Sequence, residues 1–438
     1  VSEGTIAVIA HTHPSISKGG AEIAAFALYE GLRDLGQAAI FVAICPEADR
    51  ERLRLGSASE FAIFVDPTRY EHFYQLASAD VWRQLDAILQ RHAVRLVNAH
   101  HFLGLGVNTL ERLAESGLKF VVTFHEFLAI CNHHGQMVTR PARRLCDTAS
   151  PDACTACFPE HSRAQFAART VLIRDALRHA AAFVSPSRFL ADRMIAWGLP
   201  AGRFAVIENG LRNAAAPTPP VRARGKPWVF GYFGQLTPFK GGDILLDVID
   251  ILSRQEPGRP DHAAIQLRVH GNLIGQPPEF LARFERMFAA QNWARFLGPY
   301  DNADVGTLMG ACDYVLMPST WWENSPVVIQ EAFAGGRPVI CTGIGGMAEK
   351  VPDRQAGLHF RRGDASDLAR VMREAADDVL YAGLVSQLPA VTGSTAMARS
   401  YLALFDRMGI GRTASVEINA PQVPRAAQRR RADKTTPR

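Results

Sequence analysis

The sequence predicts an α/β fold of two doubly wound domains facing one another across a cleft, and three observations lead there. Short apolar runs alternate with amphipathic helical segments twice along the chain. A stretch rich in Pro, Ala and Arg, residues 213–227, separates the two series. The 438 residues, 47% hydrophobic and 21% charged, suffice for two cores rather than one. Such alternation builds a parallel sheet covered on both faces by helices, and sheets of that kind take ligands outside the carboxyl ends of their strands.

In the first series TIAVIA opens as a strand, and a helix runs from about Ala21 to Leu35. AAIFVAI follows, then a helix near 73–92, RLVNA and KFVVTF. Residues 125–160 break the pattern, and a loop of that length in a compact domain is usually functional or disordered. A helix near 163–180, AAFVS, a short helix after Pro186 and FAVIEN complete a domain of residues 1–212. Beyond the 213–227 linker, WVFGYFG, a helix after Lys240, IQLRVHG, RFLGPY and DYVLMPS begin a second domain, residues 228–394. A helix from Pro326, PVICT, AGLHF and a helix from about Ser366 complete it.

The formal charge of +5 sits in the tail. Residues 411–438 carry seven Lys or Arg against two acids, so the remainder is formally neutral and a nucleic-acid partner is not expected. The tail has no apolar periodicity and is expected to be disordered, with weak attraction to anionic lipid headgroups as its candidate function. No run of about 18 uncharged apolar residues occurs, and TIAVIA is too short for a signal or membrane helix. A cytoplasmic protein is expected, in peripheral contact with the inner face of the membrane if the tail binds lipid. Seven cysteines without a secretory signal point to reduced thiols. Four of them, Cys131, Cys146, Cys154 and Cys157, cluster on the long loop and end in C-x2-C, which makes a structural zinc a candidate.

The richest stretch is PSTWWENSPVVIQEAFAGGRPVICTGIGG. A strand ends at Pro318, a loop carries Glu323, Asn324 and Ser325, and Pro326 opens a helix with Ser325 as expected cap. Amides at that start, Val327 among them, suit a phosphate. Glu331 lies about one and a half turns further in, among apolar neighbours, where a carboxylate needs a partner such as a ribose hydroxyl. In FGYFGQLTPFKGG, Gly241-Gly242 lets a helix start near a ligand, and Lys240 is a compact cation placed for a pyrophosphate. In HTHPSISKGGAE, Gly19 and Gly20 let backbone approach a phosphate, although G-x-G-x-x-G is absent. In TFHEF, His125 follows a strand end and suits a hydrogen bond to a sugar hydroxyl or a carbonyl. His100 and His101 are weaker candidates on the acceptor side.

The Glu323-to-Glu331 stretch with Gly335-Gly336-Arg337-Pro338-Val339 and Gly345-Gly346 resembles the signature of glycosyltransferase family 4. SPSRFLADRMIAWGLPAGRFAVIENG resembles the close of that family's first domain, and the resemblance extends to about residue 408. It implies the GT-B architecture: two facing Rossmann-like domains, the first binding the acceptor and the second the nucleotide sugar, with residues 395–410 as a crossover helix. It implies that Glu323 contacts the donor sugar, that Glu331 holds the ribose, and that His125 lies near the sugar. Relatives carry Arg or Gln five residues before the lysine; here Gln235 stands there, so one cationic contact is missing.

Retention of anomeric configuration without a catalytic metal or other cofactor is implied, and no D-x-D pair occurs. The donor is then a nucleotide diphosphate sugar. The acceptor is a saccharide, with a lipid-linked one suggested by likeness to bacterial polysaccharide-assembly enzymes. The competing readings are a non-catalytic nucleotide-sugar-binding scaffold, a sugar-nucleotide epimerase on the same fold, and an NAD-dependent oxidoreductase, for which the fingerprint is lacking.

Overall fold

The computed structural model describes residues 4–212, 222, 225–254 and 265–409. The first lobe contains β1 (Thr5–Ala10), α1 (Gly20–Asp34), β2 (Ala39–Pro46), β3 (Glu60–Val65), α2 (Ala79–Arg91), β4 (Val94–Ala99), α3 (Val107–Glu115) and β5 (Lys119–Thr123). It continues with α4 (Pro151–Cys157), α5 (Arg163–Leu177), β6 (Ala182–Ser185), α6 (Arg188–Trp197) and β7 (Phe204–Val206). Its sheet is parallel throughout, in the order β3-β2-β1-β4-β5-β6-β7.

The second lobe contains β8 (Trp228–Phe233), α7 (Gly242–Ser253), β9 (Ile265–His270), α8 (Pro278–Ala289), β10 (Ala294–Gly298), α9 (Val305–Gly310) and β11 (Tyr314–Met317). Then come α10 (Val327–Ala334), β12 (Val339–Thr342), α11 (Gly345–Lys350), β13 (Gly357–Phe360), α12 (Ala365–Glu374) and α13 (Asp378–Ser386). Its parallel sheet runs β10-β9-β8-β11-β12-β13. The fold is α/β GT-B, two doubly wound lobes. In each sheet the strand order reverses once, at β1/β4 and at β8/β11, and a crevice opens at such a switch point.

Helices α3, α4, α8, α9, α11 and α13 add to the series read from the sequence, and two elements of the first lobe differ from it. β3 is absent from the expected series: its side chains are only partly buried at an edge, so its apolar signal is short and uneven. The helix expected from residue 73 starts at Ala79, because Glu71 and Leu76 exchange backbone hydrogen bonds of 2.9 and 3.0 Å in a tight turn. The long loop is ordered around Arg169, which is 2% exposed and donates to the carbonyls of Phe73, Leu128 and Ala129. Most of the 213–227 segment and all of 411–438 lie outside the described residues, and with them the expectations for the linker and the lipid-binding tail. Among the described residues no helix is long and apolar enough to cross a membrane.

After α13 the chain returns to the first lobe. Leu211 and the returning strand bond at Leu211 N–Thr392 O and Ser394 N–Leu211 O, both 2.9 Å. The last helix, α14 (Ser394–Arg407), then buries Met397, Ala398, Tyr401, Leu404 and Phe405 in a core shared with Val8, Leu28 and Tyr29. Contact with α1 is closest at Gly31, where an added Cβ would lie 2.4 Å from the Ser394 carbonyl oxygen. Replacing a mid-helix glycine by alanine ordinarily stabilises by about 1 kcal/mol. Here overpacking, at about 1–3 kcal/mol, should win. Gly31→Ala is therefore expected to lower the urea midpoint, and a raised midpoint would show that α14 does not rest on α1.

Candidate functional site: a cleft between the two lobes

The loop after β11 and the turn after β8 meet at the switch point of the second sheet. Glu323, 7% exposed, accepts three hydrogen bonds on Oε1: from Lys240 Nζ at 2.5 Å, Trp321 Nε1 at 2.8 Å and Ser319 Oγ at 2.9 Å. One carboxylate oxygen is thereby saturated, while Oε2 stays available to a ligand. Lys240 reaches it because Gly241, at φ +80°, lets the turn press on the loop; a Cβ there would sit 2.1 Å from the Pro318 carbonyl oxygen. Gln235 instead turns its amide to the Ile274 carbonyl at 3.2 Å and supplies no charge.

Glu331, on α10, has no Lys or Arg partner among the described residues. Burial pushes its carboxyl up to about 7. The start of α10 differs from expectation: Pro326 occupies the cap position and Val327 is the first helical residue. Ser325 does not cap the helix, because its hydroxyl donates to Glu208 of the first lobe at 2.5 Å.

From the first lobe, Gly19 and Gly20 begin α1 opposite that helix start, and an added Cβ at Gly20 would lie 3.9 Å from Val327 Cγ2. The place expected for a phosphate there is partly taken by the protein's own carboxylate: Glu22 folds back until Oε2 is 2.5 Å from where a Gly19 Cβ would stand. His11 Nε2 lies 3.4 Å from the same carboxylate. His125 follows β5. Its carbonyl accepts from Asn324 Nδ2 across the gap at 3.0 Å, and its Nε2 is 3.0 Å from His100 Nδ1. Burial, with His100, His101 and His11 close by, holds it well below the usual histidine value, so the ring is neutral at pH 7. His101 donates from Nε2 to Glu126 at 3.1 Å, its Nδ1 accepting from Leu103 N.

One cleft of about 570 Å³ is lined by Gly19, Gly20, His101, His125, Gln235, Lys240, the segment Glu323–Val327 and Glu331, while Gly241, Gly242, His100 and the four cysteines stand outside its lining. Sequence reasoning missed the residues that finish it. Ser319 and Trp321 orient Glu323. Glu208 takes Ser325, Gln330 Nε2 at 3.1 Å and Lys350 from the second lobe. Glu349 accepts from the amides of Arg188 and Phe189 at the start of α6, 2.8 Å each. Each cross-lobe partner lies more than 100 positions away, so no local pattern marks it.

The four loop cysteines are free thiols, and among the described residues no group of three or more His, Cys, Asp or Glu is arranged to hold a metal ion. Cys146 donates to the Thr148 carbonyl, and Cys157 Sγ accepts from Arg140 N at 3.1 Å. Cys154 and Cys157 pack beside Phe73, Phe158 and Phe166. As they stand, the thiols take part in the packing of the loop.

Two parallel α/β lobes, with a strand-end cleft holding a Lys–Glu pair and a second unpaired carboxylate, define the GT-B glycosyltransferase class. Two family models then match in tandem: residues 18–213 match Glycosyltransferase Family 4, and residues 227–378 match Glycosyl transferases group 1. The chain belongs to glycosyltransferase family 4. A stretch of 133 residues is 35% identical to D-inositol 3-phosphate glycosyltransferase of Jonesia denitrificans, covering 30% of each chain. Another of 209 residues is 31% identical to glycogen synthase of Mycobacterium tuberculosis, covering 46% of this chain and 48% of that one. The chain thus spans less than half the length of these curated relatives. The fold is like that of Anabaena HepE in complex with UDP, at 20% identity and TM-score 0.65 over 92% of this chain and 100% of that one. It is also like sucrose-phosphate synthase from Thermosynechococcus elongatus, at 17% identity and TM-score 0.69 over 93% and 99%.

A carboxyl raised from 4.5 to about 7 by burial adds stability that is complete below the unfolded value and lost as pH rises through 7. Glu331→Gln should therefore unfold at higher temperature than the parent at pH 8, by on the order of 1–3 kcal/mol. The two should converge near pH 4.5. Equal melting temperatures at pH 8 would mean that Glu331 already has a partner.

Proposed function

We propose that the protein transfers a sugar from a nucleoside diphosphate donor to an acceptor hydroxyl, with retention of anomeric configuration and without a catalytic metal. The observation that carries this reading is the pairing of a buried, pre-oriented Glu323–Lys240 couple with the unpaired Glu331 in one cleft, facing His125.

Ribose hydroxyls donate to Glu331, which relieves the cost of its burial. As the bond between the anomeric carbon and the phosphate oxygen breaks, negative charge gathers on the diphosphate. Lys240 and the Val327 amide stabilise it. Glu323 Oε2 and the neutral His125 ring hold the sugar. The acceptor oxygen attacks the same face that the diphosphate leaves, and its proton passes to the leaving phosphate oxygen. In this metal-free route charge stabilisation falls to Lys240 and backbone amides.

The first-lobe wall favours an acceptor that offers hydroxyl protons. Glu22 and Glu126 line it, with neutral histidines between them. A neutral saccharide, free or lipid-linked, suits such a wall better than a phosphorylated one. A non-catalytic donor-binding scaffold has one observation in its favour, the uncharged Gln235.

A thermal-shift panel of nucleoside diphosphate sugars tests the reading. UDP-glucose is the first member, because HepE has been solved with it. A donor at about 100 times its Kd stabilises by roughly 2.7 kcal/mol. Lys240→Ala should lose that response. Glu323→Gln should keep it but turn over about 10²–10³-fold more slowly. No shift with any donor, or an unchanged shift in Lys240→Ala, would remove the proposal; binding without product would leave the scaffold.

A further inference from the structure

Behind His125 runs a row of buried polar side chains that the proposed chemistry does not use. Tyr401 OH, on α14, is 3.0 Å from Thr123 Oγ1. Thr123 Oγ1 donates to Asn98 Oδ1 at 2.9 Å. Asn98 Nδ2 lies 3.2 Å from His100 Nε2, and His100 Nδ1 lies 3.0 Å from His125 Nε2. Asn98, His100, Thr123 and Tyr401 are at most 2% exposed, so water does not compete for these bonds.

With the Asn98 amide oriented as it stands, Oδ1 toward Thr123 and Nδ2 toward His100, the donor inventory permits a single direction along the row. Thr123 spends its proton on Asn98 Oδ1, so Tyr401 donates to Thr123. An amide nitrogen only donates, so His100 Nε2 presents its lone pair to Asn98. A neutral His100 must then carry its proton on Nδ1 and donate it to His125 Nε2. A neutral His125 is left with its proton on Nδ1, for which the protein offers no acceptor among the described residues, and the ring lines the cleft. Burial keeps both rings neutral at pH 7.

We infer that this chain of hydrogen bonds fixes His125 in the Nδ1–H tautomer, so that the ring offers a donor to a sugar oxygen, and that Asn98 and His100 are positioning residues for the transfer. The inference rests on the sugar-transfer reading of the cleft. Left to itself in water, a neutral histidine side chain favours the opposite tautomer, in which the cleft-facing nitrogen would carry only a lone pair. Tyr401 also makes the start of the chain depend on the returning helix, so the terminal element of the described structure seats the ring at the active cleft.

Proton–nitrogen correlation spectra of the full-length protein labelled with 15N-histidine read the tautomer directly, with His125→Gln identifying the signal. The expected result at pH 7 is protonation at Nδ1; protonation at Nε2 in the parent protein overturns the inference without any further variant. Asn98→Asp presents only acceptors to His100, so it should flip both rings. It should cut kcat about 10²–10³-fold, the loss typical of one oriented donor, and leave the donor-induced thermal shift in place. If that variant fails to fold, Thr123→Val frees the Asn98 amide to rotate, and Thr123→Ser should restore both tautomer and kcat. An unchanged tautomer in Asn98→Asp or Thr123→Val, or a flipped one with unchanged kcat, sinks the proposal. An Nδ1–H ring that no nucleotide sugar perturbs would count against the sugar-transfer reading instead.

Discussion

The cleft is organised around the contact between Lys240 and Glu323. A carboxylate at 7% exposure is costly unless its charge is met, and here one oxygen collects an ammonium, an indole N–H and a hydroxyl. The contact also joins the two loops at the β8/β11 switch point. Gly241 belongs to this constraint as much as the charged pair does, since a side chain there would drive the turn away from Pro318 and carry the lysine with it. In the proposed function, a pair formed before any ligand arrives costs little reorganisation when a diphosphate draws on the same ammonium.

Glu331 shows the opposite arrangement within the same cleft. Its carboxyl is buried without a countercharge among the described residues and is raised by that burial. A group left in that state is poorly satisfied by the protein alone, and hydroxyl donors from a ligand would complete it. The two acids therefore divide by environment: one is satisfied and rigid, the other waits for a partner. Eight positions of sequence separate them, but the difference comes from Lys240, which lies 83 residues before Glu323 and has no counterpart beside Glu331.

Much of this arrangement was legible in the chain, because its signals are local. Alternating apolar runs specify parallel strands, and the positions just past their carboxyl ends must fall on one edge of the sheet. Residues picked in the segments that follow strand ends, His125, Lys240 and Glu323, with Glu331 on the helix after one of them, consequently share a cleft. What escaped was contact between distant segments. Ser325 reads as a helix cap because Ser before Pro so often is one, yet Glu208 of the other lobe takes its hydroxyl. The cysteine spacing suits a metal, but it gives no hint of the backbone partners that two of the sulfurs take. Glu22 reads as the first turn of a helix, with no sign that it would fold back over Gly19.

The cross-lobe contacts explain why the cleft needs both halves. Asn324 bonds the carbonyl of His125, Ser325 and Gln330 bond Glu208, and Glu349 caps α6, so the loop carrying Glu323 is completed by groups from the opposite sheet. If the lobes part, these bonds are lost together and the amides of α6 and the Glu208 carboxylate return to water. An open cleft therefore has a poorly fixed donor loop, and a closed one has an ordered loop and little bulk water. The proposed transfer to an acceptor hydroxyl rather than to water would require that coincidence, because a reactive sugar cation exposed before closure would be hydrolysed. Coupling loop order to lobe closure through polar contacts between the lobes links the two conditions in one movement.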